Sequence, residues 1–270
     1  MKNIEALVRE RRSVRTYNEE PLSEQDLKKL CETMHNVENP YGLKVEFKLL
    51  DSKKQKLSCP VVVGTDLYVG AKMKTSPHLN EAVGYSFESL ILFAQSIGVG
   101  TVWIGGTMDR PAFEKAMELD TDEVMPCVSP LGYPAKKMSV REALMRKGVQ
   151  ANERAAFGEV FFDGGFDKAL TAEAAGRLAQ PLEMVRLAPS AVNKQPWRVV
   201  LKDNAAHFYL KRSRGFSGSV LDMQKIDMGI ALCHFDLAAK ELGLSPRFVQ
   251  ENPNLETANG EEYIASYLFE

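Results

Sequence analysis

Three stretches of this chain carry residue types at spacings that could do chemistry. The first is RRSVR, Arg11 to Arg15, where two guanidiniums flank the Ser13 hydroxyl and Arg12 adds a third cation. A phosphate monoester dianion wants several charge-assisted donors converging on its oxygens, and arginine forks supply them. If the segment is extended, residues 11, 13 and 15 share one side. The alternative reading is a basic helix end facing water. The second stretch is LAPSAVNKQPW, Leu187 to Trp197. Pro189 and Pro196 forbid a regular helix across it, so Ser190, Ala191, Asn193 and Gln195 stand on a stiff turn offering both donors and acceptors. Such a set suits a polyhydroxyl chain or the edge of a heteroaromatic ring. A loop that caps a helix and a strand, with Trp197 as plain core, is the alternative. The third stretch is IGVGTVWIGG, Ile97 to Gly106. It reverses the strand, glycine turn, helix order of a dinucleotide fingerprint, so Gly98 reads as a helix C-cap. Gly105 and Gly106 remain as places where backbone amides could approach a ligand closely.

The elements that must position these stretches follow from periodicity and caps. A helix is expected over Asn3 to Arg12, with Ile4, Leu7 and Val8 on one face, leaving RRSVR at its end. Ser23, with Asp26 three residues on, starts a second helix that runs to about His35. Lys44 to Leu50 and Cys59 to Thr65 read as strands. Leu79 to Ile97 is apolar on more than one helical face and should be deeply buried. A core strand TVWIGG, a helix over Pro111 to Leu119 capped by Asp109, and an extended VMPCVSPLGYP follow. The second half repeats the order. A helix from Thr171 to Leu187 is followed by strands at Trp197 to Leu201 and His207 to Leu210, a long helix from Gln224 to Leu242, and strands near Arg247 and Tyr263. At one constant offset Gly84 falls on Gly229, Leu92 on Leu237, Ala94 on Ala239 and Gly98 on Gly243, which points to an internal duplication. Gly164 and Gly165 mark the boundary, giving halves 1–160 and 161–270.

Composition narrows the partners. The 270 residues carry 34 Lys and Arg against 36 Asp and Glu, a balance that predicts neither nucleic-acid nor membrane association. The charged start MKNIEALVRERRS lacks a signal-peptide core, and the most apolar window is broken by Glu88, Gln95 and glycines, so a cytoplasmic location is expected. Four scattered cysteines and four scattered histidines show no zinc, disulfide or redox spacing, and no metal is expected.

Taken together, RRSVRTY with PLSEQDL, IGVGTVWIGG, PLGYPAKK and APSAVNKQPW resemble the FMN-dependent nitroreductase family. The resemblance implies an α+β fold, with FMN as cofactor, NADH or NADPH as hydride donor, and nitroaromatics, quinones or related acceptors reduced in a ping-pong scheme. It implies that Arg11, Arg12, Ser13 and Arg15 hold the phosphate, with Lys137 and Arg141 of the late basic segment adding to that grip. Pro189, Ser190, Ala191, Asn193 and Gln195 would line the same flavin, and the Gly105–Gly106 backbone would lie near its reactive edge. The pattern departs from the family in one way. The family carries both binding segments near the amino terminus of one subunit, whereas here they are split between halves. Aligning Asp51 with Asp203 sets Glu38 opposite Ser190, Tyr41 opposite Asn193 and Leu43 opposite Gln195. The chain thus reads as two pseudo-repeated nitroreductase-like halves forming an intramolecular pseudo-dimer, one chain sufficing for one flavin. No side chain declares itself a catalytic acid. A protein that binds or sequesters flavin without reductase turnover is the alternative function.

Overall fold

A computed structural model describes residues 3–215, 218 and 220–270. The chain forms two compact units, one of residues 10–151 and one of residues 3–9 with 152–270. The mixture is α+β, as expected from the sequence.

The first helix, α1 (Ile4–Glu10), opens the chain and is counted, except for its last residue, with the second unit. Its first amide donates to the Glu241 carboxylate at 2.9 Å, which satisfies one of the orphan donors of a helix start.

In the first unit α2 (Glu24–Asn36) begins where expected, because the Ser23 hydroxyl accepts from the Asp26 amide at 3.1 Å. Next come β1 (Glu46–Asp51), α3 (Ser52–Gln55), β2 (Leu67–Lys74) and α4 (Leu79–Ser96). They are followed by α5 (Arg110–Met117), β3 (Glu123–Leu131) and α6 (Val140–Gly148). β2 lies between β1 and β3, antiparallel to both. Leu50, Tyr68, Val102, Ile104, Phe113, Met117 and Val128 pack into one core beside this sheet. α4 is buried on several faces, with the polar Asn80, Glu81, Ser86 and Glu88 enclosed along with its apolar residues.

The second unit contains α7 (Phe157–Val160), β4 (Phe161–Asp163), α8 (Ala172–Ala175), α9 (Ala179–Leu187), β5 (Trp197–Lys202), β6 (Ala205–Leu210), α10 (Met223–Glu241), β7 (Arg247–Val249) and β8 (Glu262–Leu268). Its sheet has the order β4-β5-β6-β8-β7, with only the β4–β5 pair parallel. Phe208, Phe235 and Tyr267 form an aromatic cluster between sheet and helix, with Phe208 and Phe235 edge to face at 5.2 Å between ring centroids.

Three expectations need correction. Cys59 to Thr65 is not a strand: Val62 turns back to the Cys59 carbonyl, and only Val63 makes an isolated bridge, to Thr16. The strand is β2, where Val69, Ala71 and Met73 alternate with Gly70, Lys72 and Lys74 and supply buried side chains. TVWIGG is likewise no strand. Thr101 and Ile104 make single bridges, to Ser13 and Val128, and the Val102 amide is taken by the Ser129 hydroxyl at 3.1 Å, so no ladder can run. The helix expected from Thr171 to Leu187 breaks at Gly176, whose φ of 52° and ψ of −123° only glycine adopts readily. The two units divide after residue 151, with α7 and β4 in the second.

Candidate functional site

The arginine stretch leaves α1 in an extended form held by three neighbours. The Val14 amide donates to the Thr101 carbonyl at 2.9 Å, the Tyr17 amide to Val63 at 3.0 Å, and the Asn18 amide to Tyr133 at 3.0 Å. Gly64 permits this approach: it has a φ of +85°, and a Cβ there would overlap the Tyr17 carbonyl. The alternation of an extended chain then sorts the side chains. Arg12 and Thr16, on one side, both reach the Glu142 carboxylate of α6. Arg12 Nη1 donates to Oε1 at 2.7 Å and Thr16 Oγ1 donates to Oε2 at 2.8 Å. The Arg15 amide adds a third donor to Oε2 at 3.1 Å. Glu142 is 1% exposed, so this carboxylate is a buried tie between α6 and the arginine stretch, fully bonded as buried charges must be.

Arg11 and Arg15 are placed differently. The Arg11 side chain is 7% exposed, with Nε 4.0 Å from the buried Glu88. The Nε atoms of both Arg11 and Arg15 are buried and have no hydrogen-bond partner. Burial, followed by repulsion from Arg146, pulls both guanidiniums below the ordinary arginine value, while Glu88 pulls Arg11 back and Glu142 pulls Arg15 back. Arg146 sits one turn beyond Glu142 on α6, so the same tie that holds α6 brings a further guanidinium into electrostatic reach of both. Buried cationic donors without acceptors are rare and call for an explanation. An anion with several acceptor oxygens supplies one.

The Glu88 carboxylate has a second role. It accepts from Trp103 Nε1 at 2.7 Å, so the side chain nearest Arg11 also anchors the segment leading to Gly105 and Gly106. The Gly105 carbonyl accepts from Arg110 Nη2, and a Cβ on Gly106 would meet nothing within 4 Å. The glycine at 106 is therefore not demanded by crowding within the chain.

The proline-flanked loop of the second unit is strained, and its polar side chains are bonded within the chain, although the buried Trp197 Nε1 at its end has no hydrogen-bond partner. Val192, Asn193 and Gln195 adopt φ values of 43°, 59° and 48°, a left-handed run that non-glycine residues enter at a cost. The bonds that hold it are local. Ser190 Oγ accepts from the Gln195 amide at 2.9 Å, Gln195 Oε1 accepts from the Ala155 amide at 2.9 Å, and Asn193 Nδ2 donates to the Glu153 carbonyl at 3.0 Å. Arg154 Nη1 donates to Asn193 Oδ1 at 3.2 Å. On α10 the buried Asp227 carboxylate receives the Ala191 amide at 2.9 and 3.2 Å. Burial pushes the Asp227 carboxyl well above the ordinary range, and the Ala191 amide pulls it part of the way back. Pro189 stands at the loop's entry, next to the end of α9.

Among the other expected residues, Lys137 is exposed and Arg141 donates to the Pro60 carbonyl. Sequence reasoning did not find Glu142, Arg146, Glu88, Arg154 or Asp227. Only Arg146 carried a signal, as a cation on the helix after the late basic segment. The others are acids and a loop arginine whose roles arise from pairings distant in sequence. Among the described residues no group of histidine, cysteine or carboxylate side chains could hold a metal ion, and no helix is long and apolar enough to cross a membrane.

Comparisons with known proteins fit this geometry. A family model described as "Putative TM nitroreductase" matches residues 3–239. A crystal structure of a putative nitroreductase from Thermotoga maritima superposes with a TM-score of 0.64 at 20% identity, covering 99% of this chain and 94% of that one. The fold is therefore shared along the full length. An FMN-dependent nitroreductase from Clostridium difficile matches at a TM-score of 0.42 and 18% identity over 52% of this chain and 94% of its own. An iodotyrosine deiodinase bound to FMN and 3-iodo-L-tyrosine matches at 0.43 and 15% identity, over 50% of this chain and 92% of its own. No curated protein matches this chain.

Proposed function

We propose, from the premise that the chain belongs to the "Putative TM nitroreductase" family, that it is an FMN-dependent oxidoreductase drawing hydride from NADH or NADPH and reducing nitroaromatic, quinone or similar acceptors. The observation that carries this reading is the pair of buried Nε donors on Arg11 and Arg15 that make no hydrogen bond, the first only 4.0 Å from the Glu88 carboxylate. A phosphate monoester fits them, because its dianion offers acceptors to both and offsets the repulsion from Arg146.

In this reading Arg11, Ser13, Arg15 and Arg146 hold the phosphate. Arg12, Lys137 and Arg141 act less directly, since Arg12 is bound to Glu142 and Arg141 to the Pro60 carbonyl. From the family resemblance alone we carry over to the loop of Pro189, Ser190, Ala191, Asn193 and Gln195 the role of lining a flavin's ribityl chain and ring, and to the backbone at Gly105 and Gly106 that of offering amides to a ring edge. When bound, FMN supplies the two-electron chemistry, and the protein contributes binding, orientation and exclusion of water. Glu88 keeps Arg11 charged and fixes Trp103, which keeps the phosphate grip and the Gly105 segment in register. No side chain is assigned as proton donor; water serves.

The test is purification followed by an absorbance spectrum and a count of flavin per chain, then NADH and NADPH oxidation with menadione and a nitrofuran. A yellow protein holding one flavin per chain and turning over both acceptors supports the proposal. A colourless protein that gains no flavin on incubation with FMN overturns it. One observation favours a second reading, in which flavin is bound or sequestered without turnover: Ser190, Asn193 and Gln195 already spend hydrogen bonds on the chain's own backbone. That reading predicts bound flavin with negligible NAD(P)H oxidation.

A further inference from the structure

α6 is built inside out. A surface helix normally buries aliphatic residues and exposes charged ones. On α6 the buried residue is Glu142, 1% exposed, while Val140 and Leu144 are 78% and 65% exposed. The two aliphatics are four residues apart and so lie on one stripe, with Glu142 and Arg146 turned the other way. Met138 just before the helix and Val149 just after it are exposed at 42% and 36%. Half of the large exposed hydrophobics among the described residues thus fall between residues 138 and 149. Scattered singly they would mean nothing; gathered on one short element they mark a contact surface.

The flanking charges identify the partner. Lys136 and Lys147 are exposed beside the stripe, Arg141 is bonded to the Pro60 carbonyl, and the carboxylate on the helix itself is buried and paired with Arg12. We propose that the outward face of α6 is a peripheral docking site for an anionic lipid bilayer, with Met138, Val140 and Leu144 entering the headgroup boundary and the basic side chains meeting lipid phosphates. Two features favour lipid over an acidic protein. Protein interfaces are depleted of lysine, whereas this rim is mostly lysine. An aliphatic stripe bordered by cations also has the make-up of helices that lie in a membrane surface, where each basic side chain adds to the attraction. The near-zero total charge concealed this local excess. The inference does not rest on the flavin reading, and either can fail without the other.

The experiment is co-sedimentation of the full chain with vesicles of phosphatidylglycerol and phosphatidylcholine in equal parts, against vesicles of phosphatidylcholine alone, at low and high salt. Binding is expected to the anionic vesicles alone and to fall with salt. Val140→Glu/Leu144→Glu should weaken it roughly tenfold or more and Lys147→Glu roughly fivefold, with thermal midpoints unchanged because these side chains touch little. Overturning results are no binding of the unmodified chain to anionic vesicles, or binding indifferent to Val140→Glu/Leu144→Glu. Competition by soluble polyglutamate as strong as that by vesicles would assign the face to an acidic protein and would equally overturn the lipid proposal.

Discussion

The arginine stretch of the first unit and the proline-flanked loop of the second differ in how their polar groups are satisfied. Around Arg11 and Arg15 buried donors stand without acceptors. Around Ser190, Asn193 and Gln195 bonds run to neighbouring backbone or to Arg154, and the strain is carried by the main chain. The contrast separates two ways of preparing a site. In the proposed function, the first leaves electrostatic work for a ligand to complete, and the second holds its shape in advance.

The hardest test of the contrast is Glu142, which supports the arginine stretch without belonging to it. Glu142→Ala strands Arg12, the Arg15 amide and the Thr16 hydroxyl and should cost about 3–5 kcal/mol, seen as a lower midpoint in denaturant unfolding. Arg15→Met comes next. It removes a desolvated cation whose Nε has no partner, so the flavin-free protein should keep its stability while FMN affinity falls about 10- to 100-fold, as expected for charged hydrogen bonds worth roughly 1.5–3 kcal/mol. If stability falls and flavin affinity does not, the arginine belongs to the architecture and the comparison breaks. On the loop the opposite balance is expected. Asn193→Ala gives up bonds to Glu153 and Arg154 and should lower stability by about 1 kcal/mol, with a smaller effect on flavin titration than Arg15→Met. The gentlest change is Val192→Gly. At φ 43° a β-branched residue is strained, and glycine should recover about 1 kcal/mol in thermal melts, less whatever glycine costs through the unfolded chain.

How much of this was written legibly in the sequence depends on range. The Ser23 and Asp109 caps, the long apolar helix α4 and the strands β5 and β6 come from neighbours in sequence, and the structure holds them within a residue or two. Misreadings came where a local pattern lost to a distant partner. Val61 to Val63 has the composition of a strand, yet the sheet took Leu67 to Lys74, since that run could pair on both edges. Nothing local announced that Glu142, far along the chain, would bond Arg12. The family resemblance supplied the cofactor; the orphaned donors that make it physically reasonable are visible only in three dimensions.

The placement of α1 bears on the order of events during synthesis. Residues 3–9 are counted with the later unit, and the Ile4 amide meets Glu241. In a chain made from the amino end, α1 must therefore wait for α10 before its dock exists. A nascent chain stalled short of α10 would present Leu7 and Val8, buried in the finished protein, to chaperones. α1 thus closes onto its unit only once α10 is present.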